Sequence, residues 1–150
     1  MSDPSKSQKR KDSFQRAFTN LHRSLFKLSK GRITGKGFGM PVLILTTTGR
    51  KSGEPRETML TSPLQPGDKV VLVASNGGDD REPQWFKNLK AKPEVRVVMG
   101  GKDRSMVARV ATDEEKDSMW PDVVAAYKGY AGYQTKTERN IPLVVLEPAV

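Results

Sequence analysis

The sequence LILTTTGRKSGEPR, from Leu43 to Arg56, joins an apolar run to a basic, glycine-containing turn. Branched aliphatic residues followed by three threonines are typical of a strand, and Gly49 and Gly53 are typical of a tight turn. A second extended run begins after Pro55. The pattern predicts two strands that are joined by this turn.

Three cations, Arg50, Lys51 and Arg56, lie in or beside the turn. Arginine binds a phosphate or carboxylate through a planar fork, lysine binds it as a point charge, and backbone N–H groups add a concave set of donors. Two interpretations follow from the residues. The turn is either an anion-binding corner or a solvated hairpin tip whose charges serve solubility.

The 150 residues are enough for one domain with a hydrophobic core. The sequence has no cysteine, which excludes disulfides, thiolate catalysis and cysteine-ligated metals. His22 is the one histidine, so a histidine-based metal site or catalytic triad is not expected, and we predict no metal. The sequence shows neither an apolar run of transmembrane length nor a secretory signal, which favours a cytoplasmic protein.

The net charge of +9 is concentrated in the first 36 residues, which contain ten Lys and Arg and two Asp and therefore carry +8. The other 114 residues contain 16 basic and 15 acidic residues, a net of +1. A nucleic-acid-binding domain more often carries positive charge on its folded core, so we expect no nucleic-acid partner. We divide the chain into a basic N-terminal segment, 1–36, and a folded domain, 37–150.

An amphipathic helix is predicted within the basic segment. Its apolar residues recur at helical spacing, at Phe14, Phe18, Leu21, Leu25 and Leu28. Three roles remain open for it: it packs on the domain, covers an apolar site, or lies on an anionic membrane surface. The last role would place the protein at the inner face of the cell membrane as a peripheral protein.

The rest of the chain reads as strands connected by hairpins, with helices between some of them. Strands are predicted near 41–48, 56–62, 70–75, 95–99, 106–111 and 141–146, and helices over 84–91 and from 113 onward. Pro121 is expected to interrupt or kink the second helix, and Pro142 to mark a strand start or an edge strand. Because strands and helices do not alternate regularly, a small antiparallel barrel with helices packed on it fits best.

Two further stretches carry residues suited to ligand binding. The corner Ser75-Asn76-Gly77-Gly78 can present backbone N–H groups closely to a planar or anionic ligand, or it is an ordinary turn. Tyr127, Tyr130 and Tyr133 recur every third residue, and they line a pocket or pack in the core. No carboxylate pair or nucleophile–base pair stands out, so an enzyme of this sequence would use a redox cofactor.

Several of these motifs occur in an order that resembles the deazaflavin-dependent nitroreductases, found largely in actinobacteria, some of which are quinone reductases. The motifs are LTTTGRKSGEPR, SNGG, ATDEE, the tyrosines, and the set Pro83, Trp85, Asn88, Leu89, Ala91 and Pro93. The resemblance spans 41–148. It implies an α+β fold: a small antiparallel split β-barrel, similar to those that bind FMN, with about six strands, an N-terminal helix and two further helices.

The resemblance also implies a cofactor, coenzyme F420, which is a 5-deazaflavin with a phosphate and a polyglutamate tail. Roles follow residue by residue. The phosphate and tail would be held by Arg50, Lys51 and Ser52, with Pro55, Arg56 and the start of the second strand, Glu57 to Met59, along the path. The ring and ribityl chain would meet Ser75, Asn76, Gly77 and Gly78, with Trp85, Asn88 and Leu89 closing that side.

We expect hydride transfer from reduced F420 to a quinone, an activated alkene or a nitroaromatic acceptor. The resemblance places Tyr127, Tyr130 and Tyr133 at the acceptor, and developing charge there would be met by Tyr133, Tyr130 or Ser75. Lys136 stands where some relatives carry an aromatic residue, so the resemblance does not extend to drug-activating nitroimidazole reduction. The alternatives are FMN on the same barrel, or a non-catalytic binder of a flavin-like anion or a membrane. Monomer and dimer both remain open.

Overall fold

A computed structural model describes residues 36–37 and 39–149 of the chain. The amphipathic helix that was predicted over 14–28 lies outside the described residues, and so does His22. Among the described residues, no helix has the length and apolar character needed to cross a membrane.

Seven strands and three α-helices make up the described part of the chain. The strands are β1 (Lys36–Gly37), β2 (Met40–Thr48), β3 (Pro55–Thr61), β4 (Val70–Val73), β5 (Glu94–Met99), β6 (Lys102–Val110) and β7 (Leu143–Pro148). The helices are α1 (Gln84–Ala91), α2 (Asp113–Ala126) and α3 (Gly129–Thr135), and a 3-10 turn spans Asn76–Gly78. The predicted α+β class with about six main strands is confirmed, and α3 is a helix more than the prediction contained.

All the strand pairs are antiparallel, in the spatial order β3-β2-β5-β6-β7-β4, while the two-residue β1 pairs with the start of β2. The end strands β3 and β4 do not pair with each other in the described chain, and an isolated bridge joins Leu64, just after β3, to Val71 of β4. Ser62 stabilises this closure, because its buried hydroxyl lies 2.7 Å from the Val71 carbonyl oxygen. The sheet is therefore a barrel that is closed at one end and split along the gap between β3 and β4.

The barrel interior is filled by the inward-facing aliphatic residues of the strands and by the apolar side of α1. Residues of this core include Leu43, Leu45, Val70, Leu72, Val95, Val97, Met106, Leu146, Trp85, Phe86 and Leu89. Residues Val70 to Ser75 are all buried, so β4 is covered on both faces. Each fully buried Leu or Val side chain contributes about 1.5–3 kcal/mol relative to an exposed one, so the core fixes the strands that flank the split.

The expectation that Pro121 interrupts a helix was wrong, whereas the expectation that Pro142 marks a strand start is confirmed. The helix α2 continues through Pro121 to Ala126, because Pro121 is exposed and the carbonyl group that loses its partner can be solvated. Pro142 lies just before β7, which starts at Leu143 and runs between β6 and β4, so β7 is not an edge strand. Pro142 still contributes a bond there, since its carbonyl oxygen accepts the N–H of Ala74 at 3.0 Å.

Candidate active site

A long cleft lies over the split between β3 and β4 and is walled by α1. Its first half is a cavity of about 450 Å³ beside the basic turn, and its second half is a cavity of about 440 Å³ beside the corner that follows β4. Thr58, Gln84 and Trp85 line both halves, so the two cavities form one continuous cleft. The gap in the barrel therefore becomes the place where a ligand can enter.

The basic corner, residues Gly49 to Arg56, closes the β2–β3 hairpin. The N–H of Gly49 donates to the Glu54 carbonyl and the N–H of Gly53 to the Gly49 carbonyl, both at 2.8 Å. Gly53 has a φ of 73°, and a Cβ on Gly49 would lie 2.7 Å from the Ser52 hydroxyl. Glycine is thus required at both positions, which explains the spacing seen in the sequence.

Arg50 is held against α1 by hydrogen bonds. Its Nη1 donates to Asn88 Oδ1 and its Nη2 to Gln84 Oε1, each at 2.8 Å, and its backbone N–H donates to the same Asn88 oxygen at 3.2 Å. Asn88 is 5% exposed, and its amide donates in turn to the Thr47 hydroxyl at 3.3 Å. The helix thereby fixes the direction of the corner with neutral acceptors, which leave the charge of the guanidinium uncompensated.

The corner keeps its positive charge. Within the described residues, none of Arg50, Lys51 and Arg56 forms an ion pair, and Arg56 Nη2 donates to the neutral Ser52 hydroxyl at 3.2 Å. Lys51 is exposed. Glu57 also lines the cavity beside the corner, but no ion pair joins it to the three cations in the part of the chain that the structure describes. Three such cations are suited to a phosphate or a row of carboxylates.

The opposite end of the cleft is the bend Ser75–Gly78. Asn76, Gly77 and Gly78 have φ values of 47°, 64° and 85°, which lie in the left-handed region. The N–H of Gly78 donates to the Ser75 carbonyl at 2.9 Å, and the N–H of Asp79 to the Asn76 carbonyl at 3.1 Å. In the described part of the chain, the N–H groups of Ser75, Asn76 and Gly77 have no acceptor, so they form a cradle of donors.

The three tyrosines form one cluster beside this bend. Tyr127 is the C-cap residue just after α2, whereas Tyr130 and Tyr133 lie on α3. The ring centroids are 5.1 to 6.2 Å apart in edge-to-face contacts. The Tyr127 and Tyr133 hydroxyls lie 3.3 Å apart. The helix α3 also packs on the bend, because a Cβ on Gly78 would lie 2.9 Å from the Tyr133 carbonyl oxygen.

Two of the three phenols, those of Tyr127 and Tyr130, have a raised pKa, which favours proton donation over action as a base. Burial raises the pKa of Tyr130, whose hydroxyl lies 3.4 Å from that of Thr61 and 3.6 Å from the sulfur of Met40. The hydrogen bond with Tyr133 raises the pKa of Tyr127. Tyr130 is 6% exposed and belongs to a core cluster, whereas Tyr133 is half-buried.

The cleft brings together most of the residues that were predicted to bind the cofactor. Those that line it are Arg50, Lys51, Ser52, Arg56, Ser75, Asn76, Gly77, Trp85 and Asn88. The remaining predicted residues, Pro55, Met59, Gly78, Leu89, Tyr127, Tyr130 and Tyr133, do not line it. Gly78 and the tyrosines adjoin the lined bend, so they support it from behind.

Met59 and Leu89 are corrections to the predicted lining. Met59 packs with Val42, Ile44 and Val98 on the sheet face opposite Thr58, because successive strand residues point to opposite faces. Leu89 is 2% exposed and belongs to the barrel core.

Sequence reasoning missed Leu60 and Gln84 as lining residues, whereas Thr58 falls within the predicted path. The strand period of two, counted from Arg56, places Leu60 on the same face as Thr58 and could have identified it. Gln84 carried no such signal, because its role depends on where α1 lies against the basic corner.

The residues fit a long, flavin-like molecule with an anionic tail. Uncompensated cations stand at one end of the cleft, open backbone donors stand at the other, and the Trp85 ring, 7% exposed, lines both halves. Coenzyme F420 has this distribution of groups, with a ring that can accept hydrogen bonds and a phosphate with carboxylates at the far end.

Comparison with known proteins agrees with this geometry. The family model described as F420H(2)-dependent quinone reductase matches residues 18–148. The chain is 39% identical to the F420H(2)-dependent quinone reductase Rv1261c of Mycobacterium tuberculosis over 130 residues, which are 84% of this chain and 87% of that protein.

Two solved structures are also similar. One is the structure of an F420-H2 dependent reductase (FDR-A), with 44% identity, a TM-score of 0.65, and coverage of 71% of this chain and 94% of that one. The other, described as a domain-swapped dimer, has 38% identity, a TM-score of 0.66, and coverage of 83% and 98%. The chain belongs to the F420H(2)-dependent quinone reductase family.

Proposed function

We propose that this protein is an oxidoreductase that transfers a hydride from reduced coenzyme F420 to a quinone. The observation that carries the proposal is the single cleft over the split barrel, with uncompensated cations at one end and open backbone donors at the other. Membership of the family supports the same cofactor and acceptor.

The basic corner would hold the phosphate and the first tail carboxylates. Lys51 is exposed and free to turn toward either group, while Arg50 is held in one direction by Asn88 and Gln84. Charge-assisted hydrogen bonds of this kind contribute about 1.5–3 kcal/mol each, so the corner would supply much of the binding free energy. Arg56 and Ser52, which are bonded to each other, complete the anion site.

The Ser75–Gly78 bend would hold the ring. Its open N–H groups can donate to oxygen acceptors on the ring edge, and the half-enclosed walls from Trp85, Leu60 and Val73 exclude water from the ring face. When bound, reduced F420 supplies the hydride, and the protein fixes the distance and angle at which the acceptor receives it.

The acceptor would bind next to the bend, where the tyrosine cluster adjoins it. A quinone oxygen gains negative charge as it is reduced, and a donor placed at that oxygen stabilises this charge and then gives up a proton. Tyr133 is the better candidate donor of the two α3 tyrosines, because the Tyr130 hydroxyl is enclosed by Thr61 and Met40. The Ser75 hydroxyl, which lines the cleft, is the other candidate.

Activated alkenes and nitroaromatics are electron-poor in the same way as quinones, so we include them as acceptors. Peripheral binding to anionic membranes through residues 14–28 would give access to an apolar quinone. Sedimentation with anionic vesicles tests this part, for the full chain and for a form that starts near Gly31. Equal partitioning of the two forms would remove the membrane role.

The cofactor assignment is tested by titrating the purified protein separately with F420 and with FMN. We expect tight binding of F420 and a large loss of affinity in Arg50→Ala/Lys51→Ala, at least about tenfold from the charge-assisted bonds removed. The matched control is Arg96→Ala/Lys102→Ala, which removes two exposed cations from the β5–β6 hairpin. Tight binding of FMN alone, or equal losses in both double variants, would contradict the assignment.

A further inference from the structure

Arg139, in the loop between α3 and β7, reaches under the Ser75–Gly78 bend. Its Nη2 lies 3.1 Å from the Ala74 carbonyl oxygen and 2.9 Å from that of Ser75, and its Nε donates to the Asp79 carbonyl at 3.0 Å. One guanidinium therefore holds backbone on both sides of the bend. None of the ion pairs of the described residues includes Arg139, so its charge is directed at the carbonyls.

The bend needs such support because its backbone is unusual. Three successive residues have positive φ, and the first of them, Asn76, is not glycine. Left-handed conformations of this kind persist where the surrounding structure enforces them, and they concentrate at ligand sites. The side-chain contacts that fasten the bend from below come from Arg139, and α3 packs on it at Gly78.

Arg139 is itself fixed by its neighbours. Gln134 Nε2 donates to the Arg139 carbonyl at 2.7 Å, and the Arg139 N–H lies 3.3 Å from the Thr137 hydroxyl. That hydroxyl donates to Asp80 at 2.7 Å, just beyond the bend. The loop and the bend are therefore fastened together as one unit.

The two carbonyls bound by Nη2 belong to the peptide units Ala74–Ser75 and Ser75–Asn76. No cis peptide bond occurs in the described chain, so the N–H of each unit points away from its carbonyl and therefore away from Arg139. Those N–H groups, of Ser75 and Asn76, are two of the three open donors of the cradle. A cation on the carbonyl polarises the peptide unit and makes its N–H a stronger donor.

We propose that Arg139 is a positioning residue for the cofactor ring, which aims and polarises the Ser75 and Asn76 N–H groups toward the ring's carbonyl edge. This inference rests on the proposed function, since it takes F420 as the ligand of the cleft. It separates two tasks: the basic corner binds the tail, whereas Arg139, acting through the backbone, determines how the ring is held.

The test compares two ligands: F420, and the deazaflavin riboside that lacks the phosphate and tail. We expect Arg139→Gln to weaken the binding of both by about tenfold or more, because both carry the ring. It should also change the induced circular dichroism of the bound ring at saturation. Arg50→Ala should weaken F420 much more than the riboside and leave the dichroism of the bound ring as in the wild type.

The matched control is Arg104→Gln, because Arg104 also donates to a turn carbonyl, that of Asp68 at 3.3 Å, but lies away from the cleft. Thermal unfolding identifies the variants that fold. If Arg139→Gln does not fold, the same binding and dichroism measurements are made on Arg139→Lys, which keeps the charge but lacks the planar fork. Wild-type riboside affinity and dichroism in a folded Arg139 variant would overturn the inference. A wild-type protein that binds neither ligand would instead contradict the proposed function.

Discussion

At the scale of single residues, Asn88 connects the barrel to the charged corner. Its buried amide accepts from the Arg50 backbone and side chain and donates to Thr47. Asn88→Ala leaves these partners without a bond, so we expect a loss of about 1–3 kcal/mol in the free energy of unfolding and weaker F420 binding. Urea denaturation and cofactor titration measure the two effects. Asn140→Ala, an exposed amide bonded to Lys116, is the control and should change neither.

Gly78 lies so close to α3 that a side chain at this position should destabilise the protein. An alanine there would have a φ near 85° and a Cβ 2.9 Å from the Tyr133 carbonyl, whereas Gly67, with a φ of 64°, has open space around the added Cβ. Gly67→Ala should cost about 1–2 kcal/mol from the left-handed backbone alone. Gly78→Ala should cost more, and it should also weaken F420 binding. Equal unfolding free energies for the two variants would show that α3 does not press on the bend.

The tyrosines differ in accessibility, so their loss should differ in effect. We expect Tyr133→Phe to lower kcat for quinone reduction by about tenfold or more while leaving F420 affinity unchanged, since the phenol would act on the acceptor. Tyr130→Phe, whose hydroxyl is enclosed, serves as the comparison and should leave kcat within a few-fold. The measurement is steady-state kinetics with saturating reduced F420. A lower kcat for Tyr130→Phe than for Tyr133→Phe would contradict this assignment.

The residues that line the cleft could be predicted from the sequence where they belong to a recognisable motif. The cations at 50, 51 and 56 line the cleft, and so do the first three residues of the SNGG corner. Met59 was misplaced because the strand period was not applied to the path of the cofactor, and Leu89 because its helix turns it toward the core. Arg139 had no local signal, since its partners lie 60 to 65 residues away in the sequence.

At the scale of elements, the start of α2 is fixed by a capping box and an ion-pair network. The Thr112 hydroxyl accepts the Glu115 N–H, and the Glu115 carboxylate accepts the Thr112 N–H. Arg109, on β6, bridges Glu115 and Glu147. The Arg109 hydrogen bond, with help from the Thr112 N–H, lowers the pKa of Glu115 to about 2.

This network predicts a pH-dependent stability. A carboxylate whose folded pKa lies below its unfolded value stabilises the protein above the unfolded pKa, and this contribution is lost as the pH falls through the folded pKa. Glu115→Gln should therefore lower the Tm at pH 7, and the difference from wild type should shrink between about pH 4.5 and pH 2. Glu114→Gln, in the same exposed first turn, is the control. A Tm difference that stays constant over this range would contradict the prediction.

Elements with local signals were predicted almost to the residue. The capping box marked the start of α2, and α1 was predicted over 84–91, the residues it occupies. The end of α2 was harder to predict, because the helix ends before Tyr127 and a second helix, α3, begins at Gly129. Residues from both helix ends therefore bring the three rings together. That break depends on packing against β4 and the bend, which periodicity along one segment does not encode.

At the scale of the whole molecule, the function depends on a barrel that is not closed. The strands pair in sequence-local hairpins β2–β3 and β5–β6, while β2–β5, β6–β7 and β4–β7 join distant segments. Hydrophobic alternation indicates that a sheet exists, but it does not indicate which strands stay apart. The resemblance implied the split barrel, and the structure shows what makes the split suited to a ligand: cations, open donors and Trp85 meet only there in the described chain.

The function proposed for this cleft is to bind reduced F420 and to pass its hydride to a quinone. The most direct measurement follows the decay of reduced F420 absorbance with the full-length protein and a soluble quinone such as menadione. We predict a decay that saturates with both substrates, is lost in Arg50→Ala/Lys51→Ala, and is retained in Arg96→Ala/Lys102→Ala. A flat trace with menadione and with further quinones, from protein that binds F420, would contradict it.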